Sequence, residues 1–182
     1  MKNFRKALIV SGLALAAAAM SPVSRAQLNS NVASVNLNAV LAESLTVAAA
    51  PATVNFTLVP NGTANGSSNV TVTTNWALGK TRTSMKVYAY FSSAVGLTDG
   101  AGDNIPTANV LGSVNAGAYA PFTGGAGPFG VNSQVVFTQT VGGAGTFNAS
   151  HVDTIGLQIN TAGLALPAAT YTGVLNIQAQ AL

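Results

Sequence analysis

NVTVTTNWAL, residues 69–78, reads two residues at a time. Val70, Val72, Thr74 and Trp76 fall on one side, and Thr71, Thr73 and Asn75 fall on the other. Side chains along a strand point alternately to opposite faces, so this rhythm predicts a β-strand with one dry face and one wet face. Six residues on, SMKVYAYFSS (84–93) repeats it: Met85, Val87, Ala89 and Phe91 inward, Lys86, Tyr88 and Tyr90 outward.

The same period extends in both directions. Upstream, ATVNFTLV (52–59) places Val54, Phe56 and Leu58 inward, and ESLTV (43–47) does so with Leu45 and Val47. Before them, ASVNLNAVLA (33–42) sets Val35, Leu37, Ala39 and Leu41 against Ser34, Asn36 and Asn38. Downstream come ANVLGSV (108–114), QVVFTQTV (134–141), HVDTIGLQIN (151–160) and TYTGVLNIQAQ (170–180). Turn chemistry separates them: PNGTANGSSN (60–69) carries two Asn-Gly pairs, suited to backbone with positive φ. Residues 112–133 are rich in Gly and Ala and read as a long loop. Short strands spaced by turn residues, each with one wet face, predict an all-β fold: an antiparallel, immunoglobulin-like β-sandwich of about seven to nine strands. Residues 27–182 are expected to form one such domain without helix. Tyr171, at the start of a strand after LPAA, is placed either for a tyrosine corner or for ordinary half-buried packing.

The first segment has a different character. Lys2, Arg5 and Lys6 precede the apolar run ALIVSGLALAAAAM, and SPVSRAQ supplies small residues at Ser24 and Ala26. That pattern predicts a signal peptide, residues 1–26, cleaved after Ala26. The apolar run is shorter than the roughly 20 residues of a membrane span. Export to the periplasm, cell surface or medium is the expected fate, with no transmembrane segment in the mature chain. Cleavage would also reverse the charge. The full chain carries +3, but Lys80, Arg82 and Lys86 face Glu43, Asp99, Asp103 and Asp153 in residues 27–182, a net charge of −1. Nucleic-acid binding needs a basic surface, so it loses its support. With no cysteine in the chain, disulfides, thiolate metal sites and thiol nucleophiles are all excluded.

Residues able to do chemistry are few. His151 and Asp153 are two apart and so share a strand face, but no nucleophile motif accompanies them, and a polar edge is the expected setting. The four acids are too scattered for a glycosidase pair. No catalytic residues and no cofactor are therefore expected. Asp99, Asp103 and Asn104 crowd oxygens into a Gly-rich turn, which makes them a weak calcium candidate beside the plainer reading of a solvated turn. Tyr88 and Tyr90, on the outward side with Lys86, are the best candidates for an exposed ligand platform.

Two alternating segments, 33–42 and 170–182, raise the question of edge pairing, because unpaired strand edges must be covered or blunted. Residues 33–42 are expected either to pair within the molecule or to complete a neighbour, with Val35, Leu37, Ala39 and Leu41 as the interlocking row. ASVNLNAVLAESLTVAAAPATVNF (33–56), NVTVTTNW (69–76) and LPAATYTGVLNIQ (166–178) together resemble exported pilin-like domains of the spore coat protein U type and the archaic chaperone–usher pilins. The resemblance implies an immunoglobulin-like fold lacking a strand, a periplasmic chaperone, and polymerisation through the N-terminal segment. The resulting expectation is a non-enzymatic structural subunit of the bacterial surface, fimbrial or matrix-like and self-associating. The alternative is a carbohydrate- or surface-ligand-binding module using Tyr88, Tyr90 and the 112–133 loop.

Overall fold

The computed structural model describes residues 28–124, 129–130 and 132–182. The segment read as a signal peptide lies outside them, as do residues 125–128 and 131 of the Gly-rich loop. The chain divides after Ala39 into two units, Met1–Ala39 and Val40–Leu182. Of the first, residues 28–39 form no strand and are exposed throughout; Leu28 and Leu37 are 97% and 92% accessible.

The second unit is an antiparallel β-sandwich. Its larger sheet runs β1 (Ser44–Ala50), β3 (Val70–Ala77), β10 (Asn148–Asn160), β7 (Val110–Val114), β8 (Ala120–Pro121), with β2 (Thr63–Asn65) also paired to β10. The smaller sheet runs β11 (Asn176–Ala181), β4 (Ser84–Tyr90), β9 (Ser133–Thr140). A two-stranded ribbon joins β5 (Val95–Thr98) to β6 (Asn104–Pro106). Eleven strands are present among the described residues, more than the alternation suggests, because β2, β6 and β8 have three residues or fewer. Among the same residues no helix is long and apolar enough to cross a membrane.

Register explains the core. Val70, Val72, Thr74 and Trp76 are all buried, and each faces a β10 residue on the same side: Ile155, Asp153, His151 and Ala149. Met85, Val87 and Ala89 of β4 close on them from the other sheet. Each fully buried aliphatic side chain contributes roughly 1.5–3 kcal/mol before ordering costs. Trp76 turns its Nε1–H to the Thr146 carbonyl at 2.9 Å, which satisfies the only polar atom its ring carries.

The Gly-rich stretch departs from the sequence expectation. Residues 112–114 belong to β7, Ala120–Pro121 form β8, Ser133 opens β9, and Phe122 is fully buried. Gly112 makes this fit possible: a Cβ there would meet the Phe122 ring at 2.9 Å. PNGTANGSSN contains the short strand β2, where a turn alone was expected. Residues 33–42 and 52–59 alternate like strands but form none; in the second there is only an isolated bridge, Phe56 to Gly66.

Candidate functional site

A concavity lies where the alternation found no partner. After β1, Pro51 ends the strand, and Val54, Phe56 and Leu58 turn half-buried side chains inward. Ser67 holds this segment in place, its N–H donating to the Asn55 carbonyl at 2.8 Å and its Oγ accepting from Asn55 N–H at 3.1 Å. The opposite rim is the stretch from Tyr171 into β11. There Thr98 and Thr172 exchange both backbone hydrogen bonds, at 2.9 and 2.8 Å. Gly173 sits so tightly on the chain that a Cβ would fall 2.0 Å from the Gly96 carbonyl oxygen. The Tyr171 hydroxyl donates to the Pro167 carbonyl at 3.1 Å, so the tyrosine-corner geometry is realised. Loss of water around that phenol, then the nearby charges of Asp103 and Asp99, raise its pKa above the ordinary tyrosine value.

Between these rims runs a groove of about 1020 Å³, floored by Phe91, Leu157 and Ile159. β11 pairs with β4 on one side and is the end strand of its sheet. The rim from Tyr171 to Ile177 spans seven residues, roughly 23 Å of extended chain. The groove thus sets an apolar floor beside the stretch of chain that leads into the end strand β11.

Val35, Leu37, Ala39 and Leu41 also span seven residues, and all four are exposed. Among the described residues nothing pairs with 28–43. Where β1 begins, Glu43 is firmly held: its carboxylate accepts the Gly79 N–H and takes Arg82 Nη2 at 3.0 Å. The Arg82 hydrogen bond, then the Gly79 N–H, hold its pKa below the ordinary glutamate value.

The chain matches no protein-family model and no curated protein.

Tyr88, Tyr90, His151 and Asp153 are placed differently from the expectation. Tyr88 is buried, only 2% accessible, and Tyr90 is half-buried. Phe129, from the Gly-rich stretch, stacks on Tyr90 at 4.5 Å and meets Tyr88 edge-on at 5.1 Å. The outward aromatic face is therefore covered by the protein's own ring. His151 and Asp153 share a face, as their spacing requires, but it is the inner one. His151 Nε2 lies 3.2 Å from Asp153 Oδ1, Asn115 Nδ2 donates to the same oxygen at 2.8 Å, and the imidazole stacks on Phe137 at 3.8 Å. No hydroxyl hydrogen-bonds His151 among the described residues. Through its stack on Phe137 of β9, His151 ties the larger sheet to the smaller one. In the Asp99 loop, one carboxylate oxygen accepts the N–H groups of Ala101, Gly102 and Asp103 at 2.8–3.1 Å. These bonds, led by Ala101, lower its pKa below the ordinary aspartate value. That oxygen closes the turn, and Asn104 Nδ2 caps the Gly102 carbonyl.

Beside the His151–Asp153 pair, Thr74 Oγ1 is buried with no hydrogen-bond partner among the described residues. A buried hydroxyl without a partner costs about 1–3 kcal/mol. Thr74→Val, of nearly the same shape, is accordingly expected to stabilise the fold by about 1 kcal/mol, read as a higher urea midpoint at unchanged slope. A lower midpoint would show that the hydroxyl is satisfied.

The alternation places Val54, Phe56 and Leu58 inward, where they line the groove, but assigns no role to Leu164 and Leu166, which line it too. Their two-residue spacing in GLALP was the available signal.

Proposed function

We propose that the protein is an exported, non-enzymatic structural subunit that assembles by β-strand addition. The Val35–Leu41 row of one copy enters the groove of another. The apolar groove beside the end strand β11 carries this reading. The exposed alternating segment of matching length supplies an occupant with the required chemistry. An extended row that offers its N–H and C=O groups to the rim and its Val and Leu side chains to the floor satisfies both at once. The inward packing of His151 and Asp153 favours a structural over a catalytic reading. Phe129 over Tyr88 and Tyr90 weighs against the ligand platform. The resemblance to surface pilins is what supports a bacterial-surface setting and delivery by a periplasmic chaperone within this reading.

Sedimentation of residues 27–182 against residues 43–182 tests this. The longer chain is expected to form chains of copies, and the shorter to remain a folded monomer that binds a synthetic 33–42 peptide one to one. A shorter chain that still assembles would overturn the proposal.

A further inference from the structure

Twelve asparagines lie in the unit Val40–Leu182, and they divide into two sets. Seven lack Ser or Thr two positions on: Asn75, Asn104, Asn109, Asn115, Asn132, Asn160 and Asn176. Five of these use their side chains in the fold. Asn104 and Asn109 cap backbone carbonyls, Asn115 bridges Asp153 and Thr154, Asn132 accepts from Thr107, and Asn160 accepts from Ala162. The other five sit in Asn-x-Ser/Thr triplets at Asn55, Asn61, Asn65, Asn69 and Asn148, and all five are exposed. Among the described residues only Asn65 of these makes a side-chain bond, and it does so through its oxygen, which accepts from Gln158. The asparagines whose side chains hold the fold lack the hydroxyl at the second position, and those that have it are exposed, with no partner for Nδ2 among the described residues.

Four of the five triplets crowd into residues 55–71. Asn61 is the best presented. It occupies a turn with φ 53°, a glycine follows it, and the Thr63 two positions on is exposed. Asn-x-Ser/Thr on an accessible turn is the acceptor pattern for N-linked sugar in exported chains, with the hydroxyl serving recognition.

We propose that Asn61 is an N-glycosylation acceptor, with Asn65 and Asn69 as neighbouring acceptors on the same edge; this rests on the export reading. The donor is a sugar activated as a phosphate ester at its anomeric carbon, supplied to a transferase. Asn61 Nδ2 bonds to that carbon, the carbon–oxygen bond to phosphate breaks, phosphate leaves with the electron pair, and one Nδ2 proton passes to the transferase. The sugars would stand beside Val59 and Pro60, at the lip of the groove.

The test is mass spectrometry of the protein purified from its own source. Chymotrypsin should release residues 59–76 as one peptide holding all three neighbouring acceptors. That peptide is expected to be heavier by whole sugar residues, with fragmentation placing sugar on Asn61. Thr63→Ala is expected to lose the Asn61 sugar and Thr63→Ser to retain it. Neither change touches the core, since Thr63 is exposed. An unmodified Asn61 in a chain that starts at Gln27 overturns glycosylation and leaves export standing. An unmodified Asn61 in a chain that keeps Met1 overturns both. Sugar that persists on Asn61 in Thr63→Ala overturns the recognition assigned to the hydroxyl.

Discussion

Leu37→Asp is expected to abolish association between copies while leaving the folded unit as stable as before. Leu37 is 92% accessible in the single chain, so its removal takes nothing from the core. In the assembled state it would occupy the middle of the inserted row. There the substitution loses the burial of a leucine, roughly 1.5–3 kcal/mol, and buries a carboxylate with no partner, a further few kcal/mol. Together these come to about 4–6 kcal/mol, on the order of a thousand-fold or more in the association constant. Asn36→Asp is the matching control. It adds the same charge one residue away, but in an extended strand its side chain points to the opposite, wet face. Sedimentation equilibrium of both variants separates the explanations. Equal loss in the two would mean that charge alone blocks assembly, and no loss in Leu37→Asp would mean that another segment fills the groove.

The parity behind that experiment was legible in the sequence, and the partner was not. For β3 the alternation reads out in full: Val70, Val72, Thr74 and Trp76 are all buried. Residues 33–42 alternate as cleanly, yet form no strand among the described residues, because a two-residue period records which side of a strand is dry and not what dries it. The same gap misplaces Tyr88. It does point away from Met85 and Val87, but Phe129, from about forty residues on, covers it. Asp153 fails for another reason. Counting back two from the buried Ile155 puts it on the inner face, whereas its charge argued for the wet one. Asn115 makes burial tolerable from a turn with φ 51°, a contact that no local pattern announces. The groove itself was half legible: its rims are alternating segments, but their separation depends on how two sheets close.

The least legible core residue gives the largest expected loss of stability. Phe122 follows a proline within a Gly- and Ala-rich run, and nothing in its neighbours suggests burial. It is nonetheless fully inaccessible, packs edge-to-face on Phe91 at 5.2 Å, and donates its N–H to the Val110 carbonyl at 3.2 Å. Phe122→Ala removes a whole ring from between β7 and the smaller sheet. The strands on either side are held in register, so collapse into the space is resisted, and the expected cost is about 3–5 kcal/mol. A thermal midpoint lower by on the order of 10 °C should accompany it. Phe91 loses its aromatic partner, so the damage extends to the groove floor, and affinity for the 33–42 peptide is expected to fall as well. Phe129→Ala removes the same atoms from the half-buried outer face, and is expected to cost about 1–2 kcal/mol. Urea unfolding of the two variants orders them directly. A Phe122→Ala protein within 1 kcal/mol of the parent would mean that the Gly-rich segment rests on the sandwich without being part of its core.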